Sequence, residues 1–172
     1  IGMNGTKLPR EINELSKVAV IIKEKGLKGV LDVDLEVLVP FRCMLVQKAK
    51  SVEEATETIP LPFAFEYKYD GFRVMINKAP PTGHDSGEPE GGNIKIFTRR
   101  LEEVTKQFPE IVEYVEKYVK GESFILDAEA VGFDAGTHKY TDFQAISQRI
   151  RRKYGIAEMR DKFPIELAVF DI

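Results

Sequence analysis

Hydrophobic and polar positions along the chain switch between helical and strand periods, and each switch marks an element. In residues 9–25 (PREINELSKVAVIIKEK), Ile12, Leu15, Val18 and Ile22 recur at steps of three, three and four. That spacing predicts a helix, with Gly26 as its stop signal. KGVLDVDLEVLVP follows, where Val33, Leu35, Val37 and Val39 alternate with Asp34, Glu36 and Leu38. It reads as a strand or extended linker closed by Pro40, and a domain junction is expected there. From Phe63 the alternation of Phe63, Phe65, Tyr67 and Tyr69 with Ala64, Glu66, Lys68 and Asp70 predicts a strand broken at Gly71. FRVMIN (72–77) and IKIFTR (94–99) then read as a hairpin around a long surface loop, KAPPTGHDSGEPEGGN.

The helical period returns over 101–119, where Val104, Phe108, Ile111, Val115 and Tyr118 share a face, with Pro109 near the first turn and Gly121 beyond the end. SFILDAEAVGF (123–133) predicts a long strand with Phe124, Leu126, Ala128 and Ala130 on one side and Ile125, Asp127, Glu129 and Val131 on the other. DFQAISQRIRRKYG (142–155) predicts a helix with Asp142 as N-cap, and IELAVFDI (165–172) a strand. Strands separated by helices, with an antiparallel hairpin, imply an α+β sheet domain.

Composition narrows the chemistry. The 172 residues are 43% hydrophobic and 31% charged, a globular balance, and no apolar run reaches the ~20 residues a membrane helix needs. One cysteine, Cys43, and two histidines, His84 and His138, exclude a disulfide framework and a closed Cys/His zinc site. His84, in the long loop, reads as solvated and idle. With a formal net charge of −3, nucleic-acid binding requires a local basic patch, and the candidate is the run Arg149, Arg151, Arg152 and Lys153. That run also suits an ordinary solvated helix face.

The sharpest local feature is Glu66-Tyr67-Lys68-Tyr69-Asp70-Gly71-Phe72-Arg73, where alternation puts an amine between two carboxylates. A salt-bridge cluster on a solvated sheet satisfies the pattern; so does a lysine nucleophile. An ordinary lysine, with a pKa near 10.4, is neutral in only about one molecule in 10³ at pH 7, so a nucleophilic amine needs burial or a neighbouring cation.

Lys68 to Arg73 matches the K-x-D-G-x-R element of the covalent nucleotidyltransferases: ATP-dependent DNA ligases, RNA ligases and mRNA capping enzymes. Further segments follow in the family's order: Phe97-Thr98-Arg99-Arg100 with Leu101 to Thr105, then Phe124 to Val131, then Ala168-Val169-Phe170-Asp171. Upstream, Val39-Pro40-Phe41-Arg42-Cys43-Met44-Leu45 resembles the "P-x-R-P-M-L" segment, with Cys43 in place of a proline. Downstream, Asp142-Phe143-Gln144 and Arg149 to Tyr154 resemble the "F-Q…R-x-R-R-K-Y" helix of the archaeal and eukaryotic replicative type. The whole resembles archaeal ATP-dependent DNA ligases over about residues 10–172. The upstream segment and the Arg-rich helix favour this over a capping or RNA ligase-type enzyme. The intact Glu66, Lys68, Arg73 and Glu129 set favours it over an inactive DNA-binding module.

The resemblance implies a covalent nucleotidyltransferase fold based on an antiparallel sheet, incomplete at the C-terminus. Residues 1–40 would be the tail of a DNA-binding domain and linker, and 41–172 a truncated adenylation domain. Lys68 would attack the α-phosphate of ATP and carry AMP. Glu66 would read the adenine amino group, Arg73 and Arg99 would sit by the ribose and phosphates, Glu129 would approach the ribose and Mg²⁺, and Phe170 would stack on adenine. Strand alternation allows only one of Arg99 and Arg100 to face such a site. Phe170, by the same alternation, also suits a plain core position. The implied partners are nicked duplex DNA and, for the full-length protein, a sliding clamp. No membrane is expected, and the compartment is intracellular: cytoplasm in an archaeon, nucleus in a eukaryote. A chain of this extent is expected not to seal a nick alone, because the family's later lysine pair and second acidic motif have no counterpart in it.

Overall fold

The computed structural model describes residues 15–31, 35–43, 46–80 and 93–172. Its elements are helices α1 (Leu15–Leu31) and α2 (Val52–Thr58), strands β1 (Phe72–Lys78) and β2 (Ile94–Thr98), and helix α3 (Pro109–Tyr118). Strands β3 (Phe124–Asp134) and β4 (Lys139–Thr141), helices α4 (Phe143–Ile150) and α5 (Ile156–Lys162), and strand β5 (Ile165–Asp171) follow. The sheet is antiparallel throughout, ordered β2-β1-β3-β4, with β5 also pairing β3. This is the expected α+β class, and the predicted hairpin is present as β1 and β2.

One face of the sheet is the core. Phe72, Val74 and Ile76 of β1, Ile94 and Ile96 of β2, and Phe124, Leu126, Ala128 and Ala130 of β3 pack against Val104, Phe108, Ile111, Val115 and Ile146. The period-two apolar pattern of the strands thus meets the 3.6-period stripe of α3. Pro109 opens α3, where a missing N–H costs nothing. Before it, 101–108 is not helical as the spacing predicted: Leu101 has φ 67° and Thr105–Gln107 forms a 3₁₀ turn. Val104 and Phe108 still reach the core, whereas Tyr118 is exposed.

Four other expectations are corrected. Residues 63–69 form no strand, and Phe65 and Tyr67 are 83% and 89% exposed, because no strand among the described residues offers them a hydrogen-bond ladder. Gly26 kinks α1 rather than ending it, and Ile22 of the predicted stripe is exposed. Residues 35–40 make a turn, in which the Val39 N–H bonds the Glu36 carbonyl and the Leu38 N–H bonds Asn77 Oδ1, instead of a strand. The helix predicted over 142–155 stops at Ile150, and the unpredicted α5 follows the left-handed Gly155. Helix α2 was also unforeseen, although Ser51 and Glu54 carry its signature: Ser51 Oγ accepts the Glu54 N–H at 3.2 Å, and Glu54 Oε2 accepts the Lys50 N–H at 2.7 Å. Ile12, Val33, Asp34, Met44, Leu45, His84 and most of the long loop lie outside the described residues.

Candidate active site

The face of the sheet opposite the core carries the charged side chains. Asp127 and Glu129 alternate with buried Leu126, Ala128 and Ala130 on β3, and Arg73 stands directly across from Glu129 on β1. A long side chain reaches its diagonal neighbour across such a ladder, and Arg73 does so. Its Nε donates to Asp127 Oδ1 at 2.7 Å, and its Nη2 is ion-paired with Asp127 Oδ2. This pairing, with the Asp127 hydrogen bond as its first cause, holds the guanidinium charge more firmly than usual. Cys43 Sγ also donates to Asp127 Oδ2, at 3.7 Å; burial, then Asp127, push its thiol pKa up.

Glu129 is half-buried, and that burial raises its pKa against the opposing pull of the Gly71 N–H, Arg73 and Lys68. Gly71 has to be glycine for this approach: a Cβ there would lie 2.2 Å from the Ala130 carbonyl oxygen. Gly71 thus lies against β3, and Lys68, three residues earlier and in no strand, lines a hollow together with Glu129 of that strand. Tyr69 adds a second hold, its ring lying edge-on to Tyr140 of β4 at 6.1 Å. Tyr140 in turn bonds Glu166, and its phenol pKa is raised, by desolvation first and then by Glu166.

Phe170 is placed by an irregularity. The register steps from Asp127↔Asp171 to Ala128↔Val169, so Phe170 has no partner on β3. Such a bulge re-aims a side chain. Phe170 is consequently 46% exposed rather than core, and the Arg73 guanidinium carbon lies 5.3 Å from its ring centre.

Two hollows meet at Lys68, Tyr69 and Glu129. The larger, about 840 Å³, brings in Arg73, Arg99, Arg100 and Arg151 with Cys43. The smaller, about 470 Å³, brings in Glu66 and Phe170. Both Arg99 and Arg100 line the larger hollow, against the expectation that only one would. Alternation ends at Thr98, whose carbonyl accepts the Leu101 N–H at 2.8 Å in a tight turn. A turn aims successive side chains without the two-sided rule of a strand.

Of the basic run, the structure removes Arg149 from any surface role. Its side chain is 1% exposed, stacked 4.6 Å from the Phe108 ring centre, and donates to the carbonyls of Phe163 and Gln107. The physical reason is its place three residues after buried Ile146 on α4, on the same face. Arg151, Arg152 and Lys153 are exposed. Asp127, which no role had been given, proves to be the anchor of Arg73. The only sequence signal for it was its place two residues before Glu129.

Among the described residues no group of three or more His, Cys, Asp or Glu side chains is arranged to hold a metal, and no helix is long and apolar enough to cross a membrane. The family model for the ATP dependent DNA ligase domain matches residues 43–172. The DNA ligase of Nanoarchaeum equitans is 43% identical over 159 residues, covering 92% of this chain and 26% of the relative. DNA ligase 2 of Korarchaeum cryptofilum is 36% identical over 169 residues, covering 96% and 27%. The solved ligase domain of M. tuberculosis LigD is 21% identical over 62% of this chain and 27% of its own, with a TM-score of 0.39, too low to carry weight here. The chain thus spans about a quarter of the length of the curated relatives it matches. With that family model covering most of its length, the chain belongs to the ATP-dependent DNA ligase domain family.

Proposed function

We propose that the protein carrying this chain seals nicks in duplex DNA with ATP, through AMP held on Lys68. The observation that carries the reading is the position of Lys68 between a hollow with an acceptor and an aromatic ring (Glu66, Phe170) and a hollow walled by guanidinium groups. The first suits adenine, the second phosphates.

In its neutral form the Lys68 amine attacks the α-phosphorus; a P–N bond forms and the bond to pyrophosphate breaks. Next the 5′-phosphate of the nick attacks the AMP phosphorus, and Lys68 leaves as the amine. Finally the 3′-hydroxyl attacks the adenylated 5′-phosphate, AMP departs and the DNA strand is closed. Arg99 and Arg100 meet the oxyanion charge that develops, while Arg73, clamped by Asp127, holds its fork still between Phe170 and the phosphates. Glu129, a half-buried carboxylate that lines both hollows, would hold a Mg²⁺, and the ion would supply charge neutralisation on the phosphates. Such a protein works where DNA is kept, inside the cell.

The test is labelling of the full-length protein with α-³²P ATP. Covalent, acid-labile AMP is expected on Lys68 and should vanish in Lys68→Ala and Lys68→Arg, since neither offers a neutral primary amine. Label kept by Lys68→Ala would overturn the assignment. ATP should outcompete GTP by about tenfold to a hundredfold, because guanine presents a carbonyl acceptor to the Glu66 carboxylate. Equal labelling by GTP would point to capping-type chemistry.

A further inference from the structure

The basic run that reads as one face in sequence is divided by the fold. Arg149 is sealed in the core, and Arg151 lines the Lys68 hollow. Arg152 and Lys153 turn into a separate hollow of about 220 Å³, whose far wall carries Lys106 of the 3₁₀ turn and Glu103. Arg149 ties the two walls together. Its guanidinium bonds the Gln107 carbonyl at 3.1 Å, next to Lys106, and its own carbonyl accepts the Arg152 N–H at 3.0 Å.

Charge and size define what this hollow takes. Three cations face one carboxylate, and Glu103 is already engaged by Thr105 at 3.3 Å and by Lys95 at 3.9 Å. Among the described residues Lys106, Arg152 and Lys153 form no ion pair. A volume of about 220 Å³ is below the usual range for a whole small-molecule ligand but sufficient for a phosphodiester group. Arg151 and Arg152 are consecutive yet open into the two hollows, so a polyanion leaving the first at Arg151 meets Arg152 next.

We infer that Lys106, Arg152 and Lys153 form a second seat for a DNA backbone phosphate, gripping the duplex away from the reacting ends. The inference rests on the nick-sealing reading. Contacts of this kind carry no sequence information and add a salt-dependent term to affinity. Lys106 is the distinguishing member, because only the fold brings it to the other two.

The experiment measures binding of the full-length protein to a nicked duplex with a dideoxy 3′ end, by anisotropy across a potassium chloride series. Lys106→Gln/Arg152→Gln/Lys153→Gln should lower the slope of log affinity against log salt by about 1, nearly equally for duplexes of different sequence. Lys106→Glu alone, at an exposed position, should shift the slope in the same direction. Lys68 labelling by ATP without DNA should keep its ATP dependence in both variants. An unchanged slope overturns the seat. An unchanged slope with a raised ATP requirement overturns it too, by giving the hollow to the triphosphate. Failure of wild-type Lys68 labelling would sink the nick-sealing reading instead, and the binding series would still judge the hollow.

Discussion

Two of the arginine–carboxylate pairs among the described residues differ sharply in burial and in bonding. Arg149 and Glu110 lie in the core, 1% and 2% exposed at their side chains, with Nη2 and Oε1 2.5 Å apart. That contact is close but not aligned as a hydrogen bond, and both Glu110 oxygens and Arg149 Nε have no hydrogen-bond partner among the described residues. Arg73 and Asp127 sit on the open face, well bonded and partly solvated, although both guanidinium groups have an aromatic ring beside them. The sealed pair joins α3, α4, the 3₁₀ turn before α3 and the residue that follows α5, whereas the salt bridge of the open pair links only β1 and β3, which their ladder already joins. Fixing an arginine fork at the rim of a hollow, where the fold gains little, is what a site for oxyanions requires.

Breaking the sealed pair should have the largest effect. Glu110→Ala leaves a desolvated guanidinium without its counter-charge and should cost about 3–5 kcal/mol in denaturant unfolding. Replacing both partners together, as Glu110→Leu with Arg149→Met, should recover most of that. A double variant as unstable as the single one would mean that the carbonyl bonds of Arg149, not the charge pairing, hold these elements. Asp127→Ala tests the open pair from the other side. Unfolding free energy should fall by at most about 1 kcal/mol, since such pairs are screened by water. Lys68 labelling should slow by about 10²-fold as Arg73 loses its fixed direction. Equal damage to stability and labelling would erase the contrast between the pairs.

Two smaller effects sharpen it. Tyr140→Ala removes the edge contact on Tyr69 and should slow labelling by about twofold to tenfold, the worth of one aromatic pair. Tyr140→Phe keeps the ring and should restore most of the rate; if it fails to, the bond to Glu166 matters more than the ring. The last effect is on pH. Glu129 has a raised folded-state pKa, so the folded protein binds its proton more tightly than the unfolded chain does. The related stability is complete below the unfolded value of 4.5 and is lost as pH rises through the folded value. Glu129→Gln cannot lose it, so its melting temperature relative to wild type should climb between pH 4 and pH 7. A constant offset would show that Glu129 titrates as an ordinary carboxylate.

Much of the sheet was legible because its signals are local. β3 alternates from Phe124 to Ala130, and α3 places Ile111 and Val115 on one stripe behind Pro109. The aromatic alternation at 63–69 is equally regular and misleads, because a strand also needs a partner, and no local pattern reveals one. Arg149 misleads in the other direction: its charge suggested a surface, while its spacing from Ile146 already put it on the buried face. Lys68, Glu66 and Glu129 were legible through motifs. Asp127 as an anchor, Arg99 and Arg100 as joint walls, and Lys106 beside Arg152 were not, since each depends on a diagonal reach, a turn or a meeting of distant segments.

Strand β3 supplies two of the site's carboxylates, Asp127 and Glu129, from alternate positions, with Ala128 and Ala130 beneath them in the core. Inserting or deleting a single residue before Asp127 would therefore exchange the two faces at once, driving both acids among Phe72, Val74 and Ile76 and turning the alanines toward Lys68. Point substitutions can adjust this site one group at a time, but a change in length there would abolish the site and the core together. The strand is a part of the chain in which sequence can drift while length cannot.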